Sequence, residues 1–237
     1  MTDHSVDRRF FTILLLASML GVFLGVPFTF AVLGDADPLR VWLGASAEFL
    51  FFLVPACAVG VWLGEKVDLG PKLLREFVLR TPGRLRRVLA MFGPSAGIGA
   101  VLGLPMLLGA GPDYVGPGAL ELFLRSLSAA LTEEIFFRLG LMTLFVWILR
   151  SFVTKSDSTE PSLSIANLLA ALVFAAAHLP GHVTADTATL DLVIGILIFN
   201  SVSGMIMGWL YARYGLLSAV LAHFLADVVG HAIPSMF

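Results

Sequence analysis

The sequence has few charged residues and little cysteine for its length. Only 14% of its 237 residues are charged, against roughly 25% in a typical soluble domain. Water is therefore not the expected solvent of most of this chain. The formal net charge of −2 leaves no basic excess, which argues against nucleic acid as a partner. The one cysteine, Cys57, excludes an intramolecular disulfide and a cysteine-rich metal site.

Long apolar runs occupy most of the remaining sequence, and hydrophobic residues make up 58% of the chain. About 20 residues of helix cross the ~30 Å hydrocarbon core of a bilayer. Only helices and closed barrels satisfy their backbone there, and the runs lack the alternation of barrel strands. We therefore expect an all-α fold, a polytopic membrane bundle of about seven to eight transmembrane helices. The runs are 10–32, 41–64, 88–110, 118–149, 163–180, 190–212 and 214–232.

One run, 118–149, is longer than an untilted crossing of the membrane requires. It also contains the charged residues Glu121 and Arg125 near its start. We therefore expect the first part of this run to lie at the membrane interface or to form a re-entrant segment, and the second part to span.

Lys and Arg are concentrated on one side of the predicted topology. The segment 65–87 carries seven of them, whereas the turns at 33–40 and 111–117 together contain only Arg40. Because cytoplasmic loops are enriched in Lys and Arg, 65–87 is predicted to be a basic cytoplasmic loop, and the N-terminus is placed on the same side. The segment 65–87 is either an ordinary basic loop or a helix lying on the lipid surface, which its apolar residues would suit: Leu73, Leu74, Phe77, Val78 and Leu85. We expect a multi-pass protein of a cell membrane, and the compact chain favours a prokaryotic one.

The fourth run contains ionisable residues that should lie inside the membrane. Each costs on the order of 2.5–3.5 kcal/mol to insert, so a partner or a function is expected. Glu134 and Arg138 are four residues apart and share a helical face, which predicts a structural ion pair. Glu133 is rotated by roughly 100° from Glu134 and has no obvious partner in its own helix. Its carboxylate is a candidate general base.

Two later runs supply histidines. His178 follows three alanines that would allow another helix to approach closely, and His223 and Asp227 lie four residues apart on one face. If the three helices face one another, a carboxylate, two imidazoles and an orienting Asp come together, and such a set could activate water for hydrolysis. The alternative interpretation is structural, with His178 as a helix-packing residue and His223 with Asp227 as an interhelical polar clamp.

Two other polar residues within the runs, Glu48 and Asn200, have no such neighbours in the sequence, and His231 lies near a membrane boundary. We interpret them as packing or cavity-lining residues.

The order and spacing of these residues resemble the CPBP intramembrane proteases, also called the Abi or CAAX-protease family, which are related to the Rce1-type prenyl-protein endopeptidase. The chain has Glu-Glu-x-x-x-Arg at 133–138, Phe-x-x-x-His at 174–178, and His-x-x-x-Asp at 223–227, where the family accepts Asp or Asn. The resemblance covers about residues 118–232. The three motifs, in this order in the fourth, fifth and seventh runs, are together more specific than any one of them alone.

The resemblance implies roles for these positions. Glu133 would activate the hydrolytic water with help from His178, and His223 with Asp227 would bind the oxyanion. Supporting positions would be Glu134, Arg138 and Phe174, with the first two holding the helix in register. Family members are often labelled metalloproteases, and Glu133, His178 and His223 could hold Zn²⁺ with a water as the fourth ligand. A site without metal or cofactor is favoured.

The remaining expectations follow from the same resemblance. Residues 1–110 would be N-terminal scaffold helices and 111–237 the catalytic core. The substrate would be a membrane protein or peptide, with prenylated CaaX proteins as the natural partners of the eukaryotic relatives. Two alternatives are a non-catalytic membrane scaffold or immunity protein and a proton-coupled transporter. The transporter hypothesis is weakened because the sequence has no paired half-repeats.

Overall fold

The computed structural model of the protein describes residues 4–70, 76, 79–109, 116–154, 160–183 and 188–236. Within these residues the secondary structure is helical and contains no strand. Seven helices are long and apolar enough to cross a membrane. They are α1 (His4–Leu33), α2 (Pro38–Trp62), α3 (Arg84–Gly109), α4 (Ala119–Val153), α5 (Glu160–His182), α6 (Leu190–Tyr214) and α7 (Leu216–Met236). Each predicted run falls on one of them, so the all-α polytopic fold is confirmed, and the protein is an integral multi-pass membrane protein.

The helix boundaries follow from local chemistry. The side chain of Asp37 accepts a hydrogen bond from the backbone N–H of Leu39 at 2.9 Å and caps the start of α2, where Pro38 occupies the first turn. Gly215, with φ of 95°, separates α6 from α7. Only glycine adopts this left-handed conformation without strain, so the chain reverses direction there without a longer loop.

The expectation of a re-entrant segment in run 118–149 was wrong because the helix is unbroken, whereas its alternative, an interfacial first part, stays a prediction. Helix α4 is continuous over 35 residues and includes a π-helical stretch at Ile135–Met142. At 1.5 Å per residue it is about 52 Å long, which exceeds the ~30 Å hydrocarbon core. The helix therefore tilts or projects beyond the core, and Glu121 and Arg125 lie on its first turns rather than in a separate element.

Close contacts between small residues give the relative directions of the helices. Gly21 of α1 lies against Thr132 of α4, and Gly25 lies against Ser128, so α1 and α4 are antiparallel. In the same way α3 and α7 are parallel, because Gly99 lies against Ala222 and Gly103 against Ala226. A Cβ at Gly99 would clash with the backbone of Ala222, so only glycine allows this approach.

Helices α5 and α6 form a third close pair. Gly204 of α6 lies against Ala171 of α5, and Gly208 lies against Asn167, so these two helices are antiparallel. The amide of Asn167 also donates a hydrogen bond to the carbonyl oxygen of Met205 at 2.9 Å. The directions of all three pairs agree with a chain that crosses the membrane alternately.

The core of the bundle lies around the middle of α4. Ile135, Leu139, Met142 and Tyr211 are almost completely buried there, and the Tyr211 hydroxyl is hydrogen-bonded to Thr143 at 2.8 Å. On the outside, large apolar side chains are exposed, as expected of surfaces that face lipid. Examples are Phe23, Phe51, Leu108, Phe152 and Leu190.

The predicted surface helix within 65–87 falls mostly outside the described residues, which lack 71–75, 77 and 78. Leu85 lies in the first turn of α3 and is exposed. The placement of this helix on lipid stays a prediction, as does the division of the chain at residue 110. The described N-terminal helices nevertheless pack directly on the predicted core, with α1 against α4 and α3 against α7.

Candidate active site

The three motifs meet at one point inside the bundle. One carboxylate oxygen of Glu133 in α4 lies near a ring nitrogen of His178 in α5 and near a ring nitrogen of His223 in α7. Glu133 Oε2 lies 3.7 Å from His178 Nε2 and 3.9 Å from His223 Nε2. Asp227, one turn after His223, places Oδ2 3.7 Å from the same His223 Nε2. The structure therefore brings together the four predicted catalytic side chains, whose catalytic roles stay a prediction.

A backbone carbonyl orients the first histidine. His178 Nδ1 donates a hydrogen bond to the carbonyl oxygen of Phe174 at 2.8 Å, one turn earlier in α5. Because the carbonyl can only accept, the proton lies on Nδ1 and Nε2 faces Glu133. The Phe174 ring packs on the imidazole with ring centroids 4.4 Å apart. Phe174 thus supports His178 through its backbone and its ring.

A buried carboxylate orients the second histidine. His223 Nδ1 donates to Glu134 Oε1 at 2.8 Å, while Glu134 Oε2 lies 3.1 Å from Arg138 Nε. The predicted Glu134–Arg138 ion pair is therefore present, with both side chains completely buried. Sequence reasoning assigned the orientation of His223 to Asp227, which was incomplete, because the short hydrogen bond to Nδ1 comes from Glu134. One carboxylate serves both partners since each of its oxygens faces a different side chain.

The Arg138 guanidinium has a further neighbour. It lies over the Phe174 ring at 4.7 Å from the centroid. A desolvated guanidinium on an aromatic face gains about 2 kcal/mol or more. Phe174 therefore connects the buried ion pair of α4 with His178 of α5.

Glu133 has a partner within its own helix, contrary to the expectation from the sequence. Arg125 Nη2 lies 3.3 Å from Glu133 Oε1, two turns earlier in α4. A spacing of three or four residues does not include this pair, because the long Arg125 side chain extends along the helix over two turns. Oε1 faces Arg125 and Oε2 faces the two imidazoles, so the orientation of the carboxylate is defined on both sides.

Two cavities reach this cluster. A cavity of about 910 Å³ lies between α1, α2 and α4, and its lining includes Glu48, Arg125 and Glu133. Glu48, interpreted from the sequence as having no polar neighbours, thus shares a cavity with the candidate base. The N-terminal helices therefore form part of the site as well as the scaffold.

The second cavity has a volume of about 420 Å³ and is lined by both histidines of the cluster. Apolar side chains of α3, α5 and α6 form much of its wall. Its other polar lining residues are Asp191, Asn200, Ser203, Asp227 and His231. The interpretation of Asn200 and His231 as cavity-lining residues agrees with this position.

Three residues of the cluster, Glu133, His178 and His223, are the ones that could hold Zn²⁺ if a metal is bound. Among the described residues, no group of three or more His, Cys, Asp or Glu side chains is placed to hold a metal ion. Glu133, His178 and His223 are close, but their present arrangement does not fit a bound ion. We therefore derive no chemical step through a metal.

Chemically, the arrangement suits removal of a proton from water. A carboxylate next to two imidazoles in an accessible cavity can accept a proton, and the imidazoles can position water or donate hydrogen bonds. The apolar surroundings strengthen hydrogen bonds to a developing negative charge.

Comparison with known families finds a match for the region that contains this cluster. Residues 116–229 match the family of Rce1-like type II CAAX prenyl endopeptidases. Comparison with curated proteins gives no match, and comparison with solved structures gives none either. The matched region extends from just before α4 into α7 and includes all three motifs, which confirms the resemblance found in the sequence. Residues 116–229 thus correspond to an Rce1-like type II CAAX prenyl endopeptidase domain.

Proposed function

We propose that the protein is an intramembrane endopeptidase that hydrolyses a peptide bond of a membrane-associated protein or peptide, lipidated substrates included. The observation that supports this most directly is that Glu133, which lines an accessible cavity, places Oε2 within 4 Å of the Nε2 atoms of His178 and His223. The family match supports a CAAX-type protease.

Glu133 acts as the general base. A water molecule transfers a proton to Glu133 as its oxygen attacks the carbonyl carbon of the substrate, which gives a tetrahedral intermediate. His178 Nε2 faces the same carboxylate oxygen and helps to position the water. When the intermediate collapses, the C–N bond breaks and the proton passes from Glu133 to the leaving amine. No covalent enzyme intermediate is formed.

His223 and Asp227 stabilise the oxyanion. The short hydrogen bond from Nδ1 to Glu134 fixes the ring, and the Nε2–H of the imidazolium donates to the developing negative charge. Asp227 lies beside Nε2 and contributes a second donor in its protonated form, since an ionised carboxylate can only accept. Glu134, Arg138 and Phe174 do not touch the substrate and act by positioning the two histidines.

The reaction is proposed to need neither metal nor cofactor. Cleavage of fluorogenic peptides, with and without a lipidated C-terminal cysteine, is measured with purified protein in detergent. Glu133→Gln should abolish turnover, and Glu160→Gln should leave it unchanged. Glu160 is the matched control because it is an exposed glutamate at the start of α5, away from the cluster. Turnover that persists in Glu133→Gln would contradict the proposal, and turnover lost with a strong chelator would indicate metal dependence.

A further inference from the structure

The larger cavity leads from Glu133 to one end of the bundle. Its lining includes the turn between α1 and α2, with Leu33, Asp35 and Asp37, as well as Arg125 near the start of α4. Because α1 and α4 are antiparallel, the end of α1 and the start of α4 lie at the same end of the bundle. The cavity therefore opens beside the α1–α2 turn.

The smaller cavity extends toward the same end. It is lined by Met106 near the end of α3, by Asp191 at the start of α6 and by His231 near the end of α7. His178 itself lies four residues before the end of α5. Since α3 is parallel to α7 and α5 is antiparallel to α6, these helix termini also lie together. Both cavities thus extend toward the end of the bundle that carries the α1–α2 turn and the start of α6.

Positive charge is concentrated at the opposite end. All but three of the 15 Lys and Arg residues lie in the first turns of α1, in 65–87, in the last turn of α4 and the connection after it, or in the last turn of α6. The exceptions are Arg40 and Arg125, which line the larger cavity, and the buried Arg138. Because cytoplasmic segments are enriched in Lys and Arg, the end without this excess is non-cytoplasmic.

We propose that the active site opens to the non-cytoplasmic face, and that the substrate is an exported peptide or a membrane protein whose scissile bond is reached from that side. This inference rests on the proposed peptidase function and narrows its substrates. Soluble tails that remain in the cytoplasm are not substrates.

The orientation is tested by cysteine labelling in intact cells. Asp35 in the α1–α2 turn and Arg86 at the start of α3 are both exposed, and the native Cys57 is completely buried. A membrane-impermeant maleimide should label Asp35→Cys in intact cells, label Arg86→Cys only after lysis, and leave the parent chain unlabelled. The reverse pattern would overturn the proposed sidedness whether or not the protein is a peptidase.

The side of the membrane on which cleavage occurs is tested with two reporter proteins that each have one transmembrane helix. Both carry the peptide cleaved best in detergent, placed beside the membrane on the non-cytoplasmic side in one reporter and on the cytoplasmic side in the other. Co-expression should give at least about tenfold more Glu133-dependent cleavage of the first reporter, a difference of about 1.4 kcal/mol. Preferential cleavage of the cytoplasmic reporter would overturn the inference and leave the peptidase function intact. Failure of the purified protein to cleave any peptide in detergent would instead contradict the proposed function.

Discussion

The double role of Glu134 gives a prediction in which stability and activity respond differently. Its carboxylate binds Arg138 through one oxygen and His223 Nδ1 through the other, and the Glu134 side chain has no exposed surface. Removing one partner of a buried ion pair costs about 3–5 kcal/mol, because the other charge remains without compensation. Glu134→Met and Arg138→Met alone should each lower the free energy of unfolding by this amount.

The double variant Glu134→Met/Arg138→Met should recover most of the stability, because replacing both charges with apolar side chains of similar size is often neutral or stabilising. It should not recover activity, since His223 Nδ1 still lacks its acceptor. Loss of a hydrogen bond between charged groups is worth about 1.5–3 kcal/mol, which corresponds to roughly 10- to 150-fold in kcat.

Thermal unfolding in detergent and peptide cleavage measure the two quantities on the same preparations. Together with the wild-type protein and the two single variants, the double variant forms a double-mutant cycle, which gives the coupling free energy between Glu134 and Arg138. A double variant as unstable as the single ones would show that the buried ion pair is not the main contribution of these residues. A stable double variant with wild-type kcat would refute the claim that Glu134 orients His223.

Two other positions give separate predictions. Asp227→Asn should retain activity, because an amide donates a hydrogen bond at any pH, whereas Asp227→Ala should lower kcat about 10²- to 10³-fold, as measured for the loss of an oxyanion donor. Equal losses in both variants would argue against a donor role. Arg125→Gln should lower kcat about tenfold with little change in KM, because Arg125 contacts Glu133 rather than the substrate, and Arg125→Lys should be partly active. An effect confined to KM would instead place Arg125 in substrate binding.

Much of the fold could be predicted from the sequence, because hydrocarbon permits few structures. Long apolar runs must be helical there, so their number and approximate limits follow from length. The continuity of α4 could not be predicted from the same rule. A run longer than the bilayer fits a re-entrant segment or a tilted helix equally well, and the packing of α1 along its first turns is visible only in three dimensions.

The site was predictable at the level of residues but not of contacts. Spacing within a helix identifies pairs on one face, and this was sufficient for Glu134 with Arg138. It does not give the second partner of Glu134 on α7, or the extension of Arg125 over two turns to Glu133. Glu48 reaches the same cavity from α2, which carries no motif. These contacts depend on the relative positions of helices that are distant in the sequence.

The central claim is that Glu133 activates water without a bound metal, and one measurement tests it most directly. Steady-state cleavage of the peptide panel is compared between wild type and Glu133→Gln in detergent, each with and without a strong chelator. The account predicts turnover by the wild-type protein that survives the chelator and disappears in Glu133→Gln, while the variant keeps the unfolding temperature of the wild type. Undiminished cleavage by a folded Glu133→Gln protein would contradict the account.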